Sequence, residues 1–424
     1  MIGRSLRRSA GGSGARADRG ASAGEYRVVI VGGGFAGIAA AKKLARRSVR
    51  VWGADERNGG QGNRRGRVTV HVIVIDPKER FEMLPMLPDV LSGRLPEEAI
   101  SWPLAELAER YGFELRAESA RSVDGGRRVV ETASGEIAFD TLIMAHGCRA
   151  EYHGVPGAAE HTYAFRSLGD ARAIRRRLAG AAAARKIVIV GGGYTGCEVA
   201  SVLTAGPNAE ITVIEYGERL MSGVPVGPAK VTRAVAALLE RDGVQLRMSE
   251  SVTTAEAEQM TLRSGVRLPV DIGVWTAGVV AEQLACDKPS SSQPSGRHLV
   301  DEYLRVENGC YYVGDAAAVY RSDGEILPMA SYLAQAQGDY AARDILRRIR
   351  GRRPRPYRPR YLGFVVPLRP PHGIGRLLGV PVAGLIVHLV HNATCVYRMP
   401  CPPARRRLIG AILRALFRGR YRAF

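Results

Sequence analysis

No Asp or Glu follows Asp344, and no Lys does either, although the last eighty residues carry eighteen Arg. Removing these 18 from the 61 Lys and Arg leaves 43 against 41 acids. The body of the chain is thus nearly neutral, and the net charge of +20 belongs to its end. A charge so confined is a local binding device rather than a property of the fold. Cysteine is scarce: Cys148, Cys197, Cys286, Cys310, Cys395 and Cys401 form neither CxxC nor CxxxxC. That spacing argues against a zinc ribbon, a redox dithiol and a secreted disulfide scaffold, and it fits a reducing cytosolic compartment. No metal site is expected. The first 25 residues contain no apolar stretch that reads as a secretory signal. Rich in Arg and Ser, they faintly resemble a transit peptide, and they are expected to form a flexible basic arm.

Glycine, in contrast, is abundant, with 50 of 424 residues, and it recurs in a pattern. A chain this long suggests two or three domains. Val28-Val29-Ile30-Val31 is a β-branched run suited to a buried parallel strand, and Gly32, Gly34 and Gly37 follow at GxGxxG spacing before the helical run IAAAKKLARR. Ile187-Val188-Ile189-Val190 repeats the arrangement, with Gly191, Gly193 and Gly196 opening CEVASVL. In such a turn the first glycine permits the tight bend, the second lets the backbone approach a pyrophosphate, and the third lets helix and strand pack closely. The helix N-terminus then faces the anion. An acid at the end of the next strand binds a ribose hydroxyl. Glu215 stands about twenty residues past the second turn, where it favours NADH over NADPH. For the first turn that acid is Asp76, set far off by a Gly-, Arg- and Asn-rich interval that reads as an inserted surface loop over about 46–70. A third element, GCYYVGDAAA, places Gly314 and Asp315 between a short aromatic strand and small residues, where Asp315 can accept from a ribityl hydroxyl.

Two dinucleotide turns followed by GDAAA resemble the two-domain flavin oxidoreductases, in which an FAD-binding domain is interrupted by an NAD(H)-binding domain. Further stretches are similar to the type II NADH dehydrogenases, the single-subunit NADH:quinone oxidoreductases: FEMLPMLPDVLSGRLPEEAI, DTLIMAHGCRAEYHGVPGAAEHTYAFRSLGDA, VWTAGV and PMASYLAQAQGDYAARDIL. The resemblance implies an α/β fold of two Rossmann-like domains plus a C-terminal membrane-associating helical region. The expected boundaries are 1–25 for the arm, 26–150 for the first part of the FAD domain, 151–295 for the NADH domain, 296–346 for the second FAD part and 347–424 for the membrane region. It implies FAD at Gly32, Gly33, Gly34, Gly37, Asp76, Gly147, Gly314 and Asp315, and NADH at Gly191, Gly193, Gly196 and Glu215. Glu198 falls where the family has an acid near nicotinamide and quinone. The quinone segment departs from the family pattern: Ser331-Tyr332 and Ala336 replace its usual Ala-Gln and Gln, leaving Tyr332 and Gln337 as candidates beside Glu198 for acceptor chemistry. The family's ATG turn reads Ala145-His146-Gly147.

Residues 377–397 carry no formal charge, and their Pro381, His388, His391 and Asn392 suit an interfacial or protein-packed helix better than a spanning one. After MPCPP, a helix over 404–424 would gather Arg407, Arg414 and Arg418 within about 40° and set Leu408, Ile409, Ile412, Leu413, Leu416 and Phe417 opposite. That pattern suits an anionic membrane surface better than nucleic acid, which has no need of a greasy face. The expected protein is a peripheral NADH:quinone oxidoreductase on the cytoplasmic face of the cell membrane, with quinone as acceptor and a homodimer allowed. Sulfide:quinone, ferredoxin or rubredoxin reductases and a slow redox-sensing flavoprotein stay open as alternatives.

Overall fold

A computed structural model describes residues 24–54, 63–179, 185–204, 206, 209–222, 229–286, 293, 295–306, 309–321 and 324–418. The expected arm, apart from its last two residues, lies outside them, as does the end of the tail beyond 418. The Glu25–Val31 strand sits in mid-sheet between Asn63–Ile75 and Thr141–Met144, parallel to both, with Tyr311–Tyr312 and Glu114–Arg116 beyond them. Val28, Val29 and Ile30 are fully buried, which is why this strand reads as an unbroken apolar run. Its register aligns Val31 with Ile75 on one side and with Met144 on the other. The three strands therefore end level, and Gly32, Asp76 and Ala145 emerge together at the carboxyl edge.

A second sheet repeats this plan. Arg185–Val190 lies between Ala209–Ile214 and Ile272–Trp275, with Gln245–Arg247 and Thr162–Tyr163 outermost and every pairing parallel. The chain enters and leaves this unit through two short strands, Cys148–Ala150 and Val279–Ala281, which pair antiparallel.

Two expectations are corrected. The interval over about 46–70 is not all surface loop: Ser48–Ala54 pairs antiparallel with the first part of Asn63–Ile75 and widens the first sheet, residues 55–62 lying outside the described ones. The alternation in SVRVW and RVTVH gives both segments strand character, and pairing satisfies their backbone groups. Nor is 377–397 one helix. Gly373–Leu377 and Val380–Ala383 form an antiparallel hairpin, and the helix runs only from Leu385 to Arg398. Gly379 and Gly384 take φ of +86° and +71°, which turn the chain out of helical geometry on either side of the second strand. Among the described residues no helix is long and apolar enough to cross a membrane.

The C-terminal helices are tied to the body. Lys42 Nζ and Tyr111 Oη both donate to the Pro400 carbonyl, at 2.6 and 2.8 Å, and the Arg407 guanidinium lies 4.4 Å over the Trp102 ring. On the Pro402–Arg418 helix the expected apolar half is divided. Leu408 and Ile412 are buried against the body, whereas Ile409, Leu413, Leu416 and Phe417 remain exposed, Phe417 at 88%. Asp344, the last acid of the chain, is buried on the Ser331–Ile349 helix, where it accepts from Tyr311 Oη and Arg348 Nε at 2.7 Å each.

The Ser331–Ile349 helix packs on Phe35–Leu44 so closely that a Cβ at Gly338 would strike the Ala36 carbonyl. Gly338→Ala is expected to lower stability by about 1–3 kcal/mol by overpacking, despite its better helix propensity, and thermal unfolding measures it.

Candidate functional site

The two glycine turns are built alike. Gly32 and Gly191 take φ of +108° and +102°, and a side chain on Gly37 or Gly196 would strike the carbonyl of Gly32 or Gly191. A Cβ at Gly34 or Gly193 would meet nothing within 4 Å. These two residues open the Phe35–Leu44 and Tyr194–Leu203 helices, which have no side-chain cap and no acid in the first turn. Each turn thus presents helix-start N–H groups to open space, the form of an anion cradle. The residues present fit the pyrophosphate of a dinucleotide at both places.

The acids also match each other. Asp76 Oδ2 accepts from Gly33 N at 2.6 Å, and its Oδ1 from Lys78 N at 2.8 Å. Glu215 Oε2 accepts from Gly192 N at 2.7 Å, and its Oε1 from Gly217 N and Ser222 Oγ at 2.9 and 2.6 Å. Both carboxylates are more than nine-tenths buried and so fixed beneath their turns, with lone pairs left for a further hydroxyl.

The third element closes on the first turn. Gly314, at φ +70°, lies against Ala36, and its N–H donates to Gln337 Oε1 at 2.6 Å. Gln337 is therefore a buried brace for this turn and stands away from open solvent. Asp315 Oδ2 accepts from the Cys148 thiol at 2.9 Å, and Arg166 Nη2 lies 2.9 Å from the same sulfur. Burial and then the Asp315 charge push the Cys148 thiol far up, so it stays protonated. Gly147, φ +79°, has open space where a side chain would project. Arg297, invisible to motif reading, is buried and donates to the carbonyls of Ala317 and Leu327, holding the segment after GDA.

Glu198 and Tyr332, two of the three acceptor candidates, both lie near Tyr194, whereas Gln337 stands apart at the Gly314 turn. Burial, with the Asp89 charge added, pushes the Glu198 carboxyl well above the usual carboxylate range. Tyr194, one helical turn before Glu198, stacks with centroids 5.4 Å apart on Phe364 of the Gly363–Pro367 strand, which pairs with Gly373–Leu377. Tyr332 lies under the Arg398 guanidinium, 5.5 Å away. Tyr194, Phe364 and Arg398 escaped motif reading, because two of them come from the tail and reach the site only through its folding.

This geometry defines an α/β oxidoreductase with two dinucleotide sites. Residues 26–338 match the model of the pyridine nucleotide-disulphide oxidoreductases, and the chain belongs to that family. It is 26% identical to demethylphylloquinone reductase NdbB of Synechocystis, over 88% of this chain and 92% of that one. It is 25% identical to the alternative NAD(P)H-ubiquinone oxidoreductase C1 of Arabidopsis thaliana, over 88% and 78%. Its fold matches that of NDH2 from Plasmodium falciparum, solved in complex with NADH, with a TM-score of 0.77, 13% identity, and 93% and 99% coverage.

His146, in the family's Thr place, is half-buried with both ring nitrogens shut off from solvent, its ring edge-on to Tyr312 and near His298. Burial, then the proximity of His298, lowers its pKa from 6.5 to about 4. His391 is lowered to about 4 by burial first as well. Between these values the unfolded chain binds more protons than the fold, so stability falls as pH drops from about 6.5 towards 4, by roughly 3 kcal/mol per histidine. His146→Leu is expected to flatten that decline in urea titrations at stepped pH.

Proposed function

We propose that this protein passes a hydride from NADH to FAD and two electrons on to a quinone, working as a peripheral enzyme at the cytoplasmic face of a membrane. The observation that carries the reading is the pair of matched cradles, each with an acid fixed beneath it, at the carboxyl ends of the parallel strands of two sheets. The relatives named as quinone reductases, aligned over most of both chains, support it.

FAD bound at the first cradle supplies the hydride acceptance and onward electron transfer. The chain binds and orients. Gly32, Gly34 and Gly37 shape the first cradle, Asp76 would accept from a ribose hydroxyl of the dinucleotide held there, and Gly314, Asp315 and Gln337 belong to the segment that closes on this turn. Gly191, Gly193 and Gly196 cradle the nicotinamide dinucleotide, where the Glu215 carboxylate repels a 2′-phosphate and so favours NADH. The Glu198 carboxyl, raised well above the usual carboxylate range by burial, is suited to pass a proton to an acceptor that takes up protons as it is reduced.

Two cysteines poised beside the cradles would favour a sulfide- or disulfide-directed reading. Cys148 is instead hydrogen-bonded and held as a thiol, and Cys197 is buried in its helix. The membrane reading rests on exposed Leu385, Leu389, Leu413, Leu416 and Phe417, carried on two adjacent helices with Arg405, Arg406 and Arg407 nearby. That is a greasy face with basic neighbours, suited to an anionic bilayer.

Anaerobic NADH is expected to bleach the visible flavin band of the purified yellow protein, and a short-chain quinone to restore it. Bleaching without restoration by quinone would remove the quinone from the reading. Leu413→Glu with Phe417→Glu, both exposed and so harmless to the core, is expected to cut the vesicle-bound fraction at least tenfold in flotation with anionic lipid. Unchanged flotation would exclude this face as the membrane contact.

A further inference from the structure

The Asp315 carboxylate is gripped from outside its own segment. Its Oδ2 accepts from the Cys148 thiol at 2.9 Å, and Arg166 Nη2 donates to the same sulfur, also at 2.9 Å. The sulfur thus accepts from a cation on one side, which turns its single proton towards the carboxylate on the other. An S–H is a weak donor between neutral groups, but a charged acceptor strengthens the bond. Burial first, and then the Asp315 charge, keep the thiol protonated, so the donor is present across the ordinary pH range. Three separate segments build this relay. Cys148 opens the Cys148–Ala150 strand, through which the chain enters the second unit. Arg166 follows the Thr162–Tyr163 strand of the second sheet, and its backbone is fixed because its N–H donates to Asp170 Oδ2 at 2.8 Å. Asp315 stands in the short Gly314–Ala316 turn, whose first residue lies against Ala36 of the first cradle's helix.

We propose that Cys148 and Arg166 are positioning residues that set the Asp315 carboxylate for a hydroxyl of the flavin cofactor, and so set how tightly that cofactor is held. The proposal rests on the FAD reading of the first cradle and deepens it. A half-buried aspartate turns between rotamers unless a neighbour holds it. A group that must meet one hydroxyl binds more tightly when that freedom is removed before the ligand arrives. The thiol removes it at the cost of one oxygen only: with Oδ2 committed to sulfur, Oδ1 keeps its lone pairs for the ligand. A guanidinium placed directly on the carboxylate would take both oxygens as a fork. Interposing the sulfur keeps Arg166 one step back, where it orients the thiol and leaves the carboxylate open. This accounts for a cysteine that has no disulfide partner and is held as a thiol. It also gives a residue carried by the second sheet a part in holding the cofactor of the first.

The test uses the full-length FAD-loaded protein, with cofactor release on serial dilution read from the recovery of free FAD fluorescence. Cys148→Ala is expected to raise the FAD Kd about three- to tenfold, the loss of one hydrogen bond to a charged group. Arg166→Met is expected to weaken FAD in the same direction, because the thiol loses the contact that orients it. Cys148→Ser keeps a donor in place and is expected to stay within about twofold of the wild type. The sharpest comparison is made in an Asp315→Asn background. There Cys148→Ala is expected to change the FAD Kd less than about twofold, since the thiol acts only through the carboxylate. Thermal melts of each variant check that the fold is retained. An unchanged FAD Kd in well-folded Cys148→Ala would overturn the proposal. So would a fully additive loss in the double variant, which would make the thiol independent of Asp315. A Cys148→Ser protein as weak as Cys148→Ala would overturn it too, by assigning the loss to packing. A wild-type protein that is colourless and takes up no added FAD would instead overturn the reading of the first cradle itself.

Discussion

A carboxylate beneath a glycine turn is the contact on which this structure most depends. Asp76 reaches the N–H of Gly33, and Glu215 that of Gly192, each from the end of the neighbouring strand. The bond locks the turn to the adjacent strand and leaves the helix-start N–H groups facing outward. Level strand ends make this possible, since a shift of register would carry the acid out of reach. With the turn so fixed, the helix behind it can pack with almost no clearance, as the approach of Gly37 to Gly32 and of Gly338 to Ala36 shows.

A second constraint lies in the tail. Its basic residues do not simply face solvent: Arg407 lies over Trp102, Arg398 over Tyr332, and Arg348 pairs with Asp344. The Pro400 carbonyl, gripped by Lys42 and Tyr111, anchors the chain before the last helix. The tail thus packs on the body while Leu413, Leu416 and Phe417 stay exposed. Burial of Leu408 and Ile412 against the body explains why only part of the helix's apolar half remains for an outside surface.

The candidate acceptor region takes residues from several distant segments. Glu198 and Tyr194 come from the second dinucleotide unit, Tyr332 from the helix behind the first, and Phe364 and Arg398 from the tail. Burial there raises the Glu198 carboxyl well above the usual carboxylate range, and the Tyr194 hydroxyl has no hydrogen-bond partner in the fold.

Local patterns were legible along the chain because they are local physics. Four β-branched residues, a glycine turn and an alanine-rich run make a buried strand and an uncapped helix wherever they occur, and both copies could be read from spacing alone. The acids Asp76 and Glu215 were legible for the same reason, as residues that end strands. What spacing could not convey was contact between distant segments. Residues 48–54 were read as loop because their partner strand lies across an interval rich in Gly and Arg, and pairing alone gives them their structure. The uncharged stretch 377–397 was read as one helix because apolarity does not distinguish a hairpin from a helix until glycines at positive φ turn the chain. Gln337, Phe364 and Arg398 acquired their places only through tertiary packing, since no rule of sequence interval brings a tail residue beside a helix start two hundred positions earlier.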